Sequence, residues 1–384
     1  MRILHIDTGL GMRGGQELLL LGARGLRARG HEQTIACPLN SPLQQAAAAE
    51  GYPILSLPAR DRCYAGSAFR IRRFLRGHAC EIVHAHDARG QTLSWIATAG
   101  IPVCRVANRL VTFEPRNLPL HRWKYSHSCH CVIALSPAVR DSLVRNGIPE
   151  GRIEVIVGGI EFPEQLPDPG ARSRMREAWG LGAEDFVVGH VAAFTAEKGQ
   201  DAALEALLRL LPALPNLRML LVGDGPLRRD PAVLEKVRLA QGCAQLPGYL
   251  KPSAEFYAGL DLFLINSTSE ALGLSAIYAM AYGVPVIATQ VGGLPGVVAA
   301  GETGWLIPPG DSAALAGAIA EAASDPGRLR RFGLEGRVRA RLFSSSAAAE
   351  RTEALYDRLL RECAHPPSSG AAGKSRISSR TPRV

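Results

Sequence analysis

The sequence predicts an α/β protein of two tandem Rossmann-like, doubly wound domains that face each other across a cleft. Three observations predict it. Short apolar runs alternate with helix-length segments along almost the whole chain, as parallel strands joined by crossover helices do. The alternation breaks once, over residues 158–170, where three prolines and three glycines cluster. A chain of 384 residues also exceeds one typical core, so two domains of about 150–200 residues are expected.

In chain order, strands are expected near residues 2–6, 33–36, 53–57, 81–84, 102–106, 131–135 and 153–157. Helices over 15–29, 67–77, 88–99 and 136–146 lie between them. The first strand meets Asp7 almost at once, which reads as a buried strand and not as a secretory leader. After the linker, strands near 186–191, 217–222, 261–265 and 284–288 resume, with helices over 199–212, 273–282, 311–323 and 345–363. The expected division is therefore a first domain of residues 1–165, a second of 166–363, and a basic tail of 364–384. Its Pro-Pro-Ser-Ser-Gly start and Ser-rich composition predict disorder.

Composition narrows the class. Apolar residues make up 47% of the chain, ample for two cores, yet no apolar run reaches the 18 residues of a membrane span. The eight cysteines are scattered without a C-x-x-C pair, which fits reduced thiols in a cytosol better than a disulfide framework. Cys129-His130-Cys131 carries metal-binding residue types, but ligands alternating along a strand point to opposite faces, so buried cysteines are expected and no metal.

The formal charge of +9 is uneven: residues 1–165 contribute +7 and hold eight of the ten histidines, while residues 166–364 contribute −2. Either a basic proteome with arginine-rich coding bias or an anionic partner for the first domain accounts for it. Phe69-Arg70-Ile71-Arg72-Arg73-Phe74-Leu75-Arg76 puts arginines beside apolar side chains on one helix. Such a helix either packs its apolar side on the sheet or lies on an anionic membrane surface, as a peripheral protein at the inner face would. No aromatic-basic platform or recognition motif accompanies the charge, so nucleic acid is not an expected partner.

Gly9-Leu10-Gly11-Met12-Arg13-Gly14 follows the first strand and matches G-x-G-x-x-G, a weak signal for a dinucleotide. A dinucleotide site also needs an acid at the end of the second strand. Here that strand runs Gln33-Thr34-Ile35-Ala36 into Cys37-Pro38, with Glu32 at its opposite end. What remains is a glycine-rich turn whose amides, at a helix N-terminus, face the cleft and can approach a phosphate or sugar.

The most informative stretch runs Asn266-Ser267-Thr268-Ser269-Glu270-Ala271-Leu272-Gly273-Leu274-Ser275, then through Ala279-Met280-Ala281-Tyr282-Gly283-Val284-Pro285-Val286, then Gly292-Gly293-Leu294-Pro295 and Gly301-Glu302-Thr303-Gly304. Glu197-Lys198-Gly199, Val222-Gly223-Asp224-Gly225-Pro226, Ser136-Pro137-Ala138-Val139 and His84-Ala85-His86-Asp87 precede it. This order resembles the family 4 (group 1) glycosyltransferases of the GT-B fold, over essentially residues 1–360. The resemblance implies transfer of a sugar from a nucleotide-sugar donor to an acceptor, with retention of configuration and without a metal or other cofactor. A diphosphate leaving group gains negative charge as the sugar departs, so fixed positive potential is needed beside it. Lys198 supplies that charge in this reading, and Glu270 hydrogen-bonds the transferred sugar. Gly223, the amides of Leu272, Gly273 and Leu274, and Tyr278 bind the donor, with Gly273 leaving room for its phosphates. Gly14, Gly15, His86 and Arg109 meet a sugar or lipid-linked acceptor. One of His84 and His86 is expected to face the core instead.

Several positions depart from the family pattern. Tyr278 stands where a second glutamate usually holds the donor ribose; a phenol offers one oxygen where a carboxylate accepts from both hydroxyls. Ala193 replaces an arginine, Gly296 a glutamate, and Asn108-Arg109 occupy the region where a histidine is common. Two rival readings share the architecture: a nucleotide-sugar epimerase, and a non-catalytic sugar-nucleotide-binding protein. The acceptor's pathway, whether lipopolysaccharide, other cell-envelope polymers or a small molecule, is not legible in these residues.

Overall fold

The computed structural model describes residues 1–12, 14–59, 64–110, 124–250 and 252–364; the expected disordered tail lies outside the described residues apart from its first residue. Two parallel sheets carry the fold. The first has seven strands: β1 (Arg2–Ile6), β2 (Glu32–Pro38), β3 (Ile54–Leu57), β4 (Ile82–Ala85), β5 (Cys104–Arg109), β6 (Cys131–Ala134) and β7 (Ile153–Val155), in the order β3-β2-β1-β4-β5-β6-β7. The second has six: β8 (Phe186–Val191), β9 (Leu217–Val222), β10 (Ala244–Gly248), β11 (Leu262–Ile265), β12 (Val286–Thr289) and β13 (Gly304–Ile307), in the order β10-β9-β8-β11-β12-β13. This is the α/β arrangement that the alternating pattern predicts.

Helices cover both faces, so consecutive strand residues enter different cores. Ile3 packs with Ile82, Cys104 and Val106, whereas Leu4 and Ile6 pack with Ala36, Leu57 and Val83. That two-sided burial explains why the strands read as continuous apolar runs. Strand order reverses between β1 and β4 in the first sheet and between β8 and β11 in the second. Carboxyl ends of strands at such reversals open the crevices where doubly wound sheets bind ligands.

Two strands escape the sequence reading. β10 contains Pro247 and shifts register between Gln245 and Gly248, which an edge strand tolerates. β13 is hidden in a run bounded by Gly301 and Gly310 that resembles a loop.

The helix Ser345–Ala364, grouped above with the second domain, packs on the first sheet instead. Leu355, Tyr356 and Leu359 bury against Ile3, Ile82, Cys104 and Val106, and Glu353 pairs with Arg29 and His31. The chain therefore crosses between the sheets twice, and the crossings pair: Ile160 N–H donates to Phe343 O and Ser345 N–H to Ile160 O, both at 2.8 Å. Helical periodicity shows that an apolar face must be buried but not which sheet buries it.

Candidate functional site

At the carboxyl edge of the second sheet, the loops after β8 and β11 are laced together. Thr268 N–H donates to Glu197 O at 2.8 Å, and Asn266 Nδ2 donates to Gly199 O at 2.7 Å. This lacing brings two distant residues into a direct ion pair, Lys198 Nζ to Glu270 Oε2 at 2.7 Å. Both are partly shielded, with 22% and 17% of their side chains exposed. Glu270 Oε1 also accepts from the amide of Ala271 at 3.2 Å. The loop after β12 presses on the same turn: Gly293 N–H donates to Glu270 O at 3.1 Å, and a Cβ on Gly292 would stand 1.7 Å from that oxygen. Gly292, at φ 53°, is thus required for Glu270 to sit where it does. Sequence reasoning gave it no role. Beneath Lys198, His190 on β8 is 1% exposed and neutral, its pKa pulled down to about 3 by burial and then by Lys198.

Leu272, Gly273 and Leu274 lead into the helix Leu274–Ala281, whose N-terminus no side chain caps. Gly273 sits in the left-handed region at φ 90°, and a Cβ there would meet Leu294 Cδ2 at 2.5 Å. The glycine is therefore demanded by its own backbone and by packing. Leu272 is buried at 3%. The amide of Gly223 is taken by Gly248 O at 2.9 Å, so Gly223 shapes the loop after β9 and offers no free N–H to a donor.

Across the cleft stands the N-terminus of the helix Gly14–Ala28. A Cβ on Gly14 would lie 3.6 Å from Leu274 Cδ1, which places the two helix starts against each other. Gly15 packs on Leu110 beside them. Two helix N-termini converging on one cleft favour an anionic ligand between them. Tyr278, expected to bind the donor, has its hydroxyl engaged across the cleft, donating to Glu17 Oε1 of the first-domain helix at 3.3 Å. Burial and then the Glu17 carboxylate push its phenol pKa up.

In the first sheet, His84 and His86 are both buried, at 4% and 6% exposure, with ring centroids 4.2 Å apart. The expectation that only one faces inward fails because residues two apart on a strand share a face. Together with His5 they form one directed chain of hydrogen bonds. Gln33 Nε2 donates to Ala23 O, so its Oε1 accepts from His5 Nε2 at 2.9 Å. His5 Nδ1 then accepts from His86 Nε2 at 2.9 Å, and His86 Nδ1 accepts from Asn108 Nδ2 at 3.1 Å. Asn108 Oδ1 accepts from His84 Nε2 at 2.7 Å, and His84 Nδ1 accepts from the Tyr356 hydroxyl at 2.6 Å. All six ring nitrogens are engaged. Burial, the largest cause in each case, holds the rings neutral, His5 at about 4 and His84 at about 3. His86, expected at the acceptor, is instead a buried link in this chain.

Arg109 ends β5 half-buried near the cleft, donating to Tyr125 Oη at 3.0 Å. The glycine turn after β1 is held by Asp7, whose Oδ1 accepts from Gly9 N at 2.8 Å and from Gln16 Nε2 at 2.9 Å. On the outer face, Ile71 and Leu75 of the helix Ala65–Gly77 bury toward the sheet while Phe69 is 67% exposed beside Arg70, Arg73 and Arg76.

Two facing parallel-sheet domains with a charged, helix-lined cleft define a GT-B-type α/β protein. The chain belongs to the group 1, family 4 glycosyltransferases. A model described as "Glycosyl transferases group 1" matches residues 171–339, and one described as "Glycosyltransferase Family 4" matches residues 13–162. Among relatives, the D-inositol 3-phosphate glycosyltransferase of Rhodococcus jostii (strain RHA1) is 29% identical over 90% of this chain and 84% of that protein. The GDP-mannose-dependent alpha-(1-6)-phosphatidylinositol monomannoside mannosyltransferase of Mycolicibacterium smegmatis is 28% identical over 85% and 90%. Among solved structures, Anabaena HepE in complex with UDP has a TM-score of 0.83 at 21% identity, covering 93% of this chain and 100% of that one. A glycosyltransferase from Rickettsia africae ESF-5 has a TM-score of 0.84 at 21% identity, covering 94% and 98%. These two show a shared fold.

Proposed function

We propose that this glycosyltransferase moves a sugar from a nucleotide-sugar donor to a lipid- or polysaccharide-linked acceptor, with retention of configuration and without a divalent metal. The Lys198–Glu270 pair at the carboxyl edge of the second sheet carries the reading. Donor binding would split the pair. The ammonium turns to the diphosphate, whose charge grows as the sugar leaves, and the freed carboxylate accepts from a sugar hydroxyl. The uncapped start of the helix Leu274–Ala281 adds positive potential at the same place. A front-face route of this kind requires no second carboxylate on the opposite side of the sugar. The relatives named for phosphoinositol and phosphatidylinositol acceptors support a lipid-linked or phosphorylated acceptor.

Among the described residues no helix is long and apolar enough to cross a membrane. A peripheral seat is supported by the helices Ala65–Gly77 and Ala88–Ala97, which contain five arginines and no acid and expose Phe69, Trp95 and Ile96. Apolar insertion and basic attraction together suit an anionic lipid surface.

The test is a thermal-shift panel of nucleotide sugars, followed by turnover of the stabilising donor with and without acceptor. Transfer only with acceptor, and NMR showing the donor's anomeric configuration in the product, are the expected results. Donor conversion without acceptor would replace transfer by epimerisation, and binding without turnover would leave a non-catalytic protein.

A further inference from the structure

At the edge of the first sheet opposite the cleft, three side chains from separate elements meet. Cys104 opens β5, His130 directly precedes β6, and Cys363 stands in the last turn of the helix Ser345–Ala364. Their two sulfurs and a ring nitrogen all lie within 4.8 Å of one another. Cys104 is buried at 1%, its thiol directed at Leu359 O at 3.5 Å, whereas Cys363 is exposed. The transferase site uses none of the three.

A Cys–His–Cys set first suggests a metal, and one contact argues against it. The backbone N–H of Arg105 donates to His130 Nδ1 at 2.9 Å, so that lone pair is spent and the proton of the neutral ring sits on Nε2. Burial and the neighbouring Arg105 lower the His130 pKa, which keeps the ring neutral. A ring held in this tautomer has no lone pair left to ligate. What remains is an inside thiol and an outside thiol at close approach. They sit where the last helix turn meets the sheet, and the neighbouring hydrogen bond from Cys104 to Leu359 O ties them to the same turn.

We propose that Cys104 and Cys363 form a reversible disulfide that clips the end of the C-terminal helix to the first sheet. The oxidant is a small disulfide, RSSR. The exposed Cys363 thiolate attacks one of its sulfurs, forms a mixed disulfide and releases one RSH after protonation. Cys104, as thiolate, then attacks the Cys363 sulfur and expels the second RSH. Two protein thiols lose two electrons and two protons, and RSSR takes up both as two RSH. Burial pushes the Cys104 thiol up to about 12, which makes its attack the slow step. The clip acts on an element that ties the two domains together, because the same helix supplies Tyr356 to the histidine chain and begins at the paired interdomain crossing.

The experiment treats the full-length protein with oxidised glutathione, blocks remaining thiols with N-ethylmaleimide, and maps the digest by mass spectrometry. Expected are a peptide joining Cys104 to Cys363, two fewer free thiols, and a higher melting temperature, all reversed by dithiothreitol. Cys363→Ser, a change at an exposed position, should abolish all three while melting like the reduced native protein. Unchanged thiols, or glutathione remaining on Cys363 alone, overturns the proposal. So does one equivalent of zinc per untreated chain that Cys363→Ser loses, which would make the cluster a metal site.

Discussion

The Tyr278 hydroxyl donates to Glu17 at 3.3 Å, and that contact joins a helix of the second sheet to the first helix of the chain. A tyrosine at this position therefore ties the two domains together across the cleft. Tyr278→Phe should weaken the contact between the domains by about 0.5–1.5 kcal/mol, the net value of one hydrogen bond. Tyr278→Glu should do more, since the new carboxylate faces Glu17, and that repulsion opposes any gain in holding a donor ribose. A double-mutant cycle with Glu17→Gln, read by urea unfolding, checks the pairing: additive effects would show no coupling.

Lys198→Ala and Glu270→Ala should each remove most transfer while leaving the fold intact. Losing one preorganised electrostatic group costs about 2.7–4 kcal/mol of transition-state stabilisation, or about 10²–10³ in kcat. The alanine at 198 also leaves a half-buried carboxylate unpaired, so the melting curve of each variant must be recorded beside its rate. Wild-type turnover in both would remove the site assignment.

Transfer should survive exhaustive EDTA treatment unchanged, because in the proposed function Lys198 and the helix start take the place of a divalent cation as the source of positive potential. Activity lost to EDTA and restored by Mg²⁺ or Mn²⁺ would contradict the charge assignment.

Stability should fall steeply on mild acidification. His5 and His84 titrate at about 4 and about 3 in the folded state, against about 6.5 when unfolded. Their folded pKa values are depressed, so the unfolded chain binds more protons once pH drops below about 6.5. The stabilisation is complete above that pH and is lost progressively toward pH 4 and below. Each such group steepens the loss by up to about 1.4 kcal/mol per pH unit. Urea midpoints at pH 7.5 and 5 test the slope, and NMR of the imidazoles should show no protonation of these rings above pH 5.

Arg70, Arg73 and Arg76 should govern attachment to anionic vesicles. Each basic residue near such a surface contributes about 1 kcal/mol, so the triple alanine variant should bind on the order of 100-fold more weakly. Cosedimentation with phosphatidylglycerol vesicles measures this, with neutral phosphatidylcholine vesicles and high salt as the arms that should show little binding of the native protein.

The alternation of apolar runs determined the first sheet and the four inner strands of the second by itself, because strands covered on both faces must be apolar throughout and their crossovers must be helical. The local order around Glu270 and Gly273 likewise determined the loop-to-helix turn, since backbone geometry there depends on near neighbours. What only the tertiary structure decided are contacts between residues far apart in the chain. Lys198 meets Glu270 because two loops are laced together, Tyr278 finds Glu17 on another domain, and Tyr356 returns to the first sheet to complete a chain through His84, Asn108, His86 and His5. Gly273 and Gly223 were placed correctly at loops, but the neighbours that crowd them, Leu294 against Gly273 and Ala192 against Gly223, and Gly248, which takes the Gly223 amide, come from other strand–helix units. Periodicity records how much of a side chain is buried; it does not record what buries it.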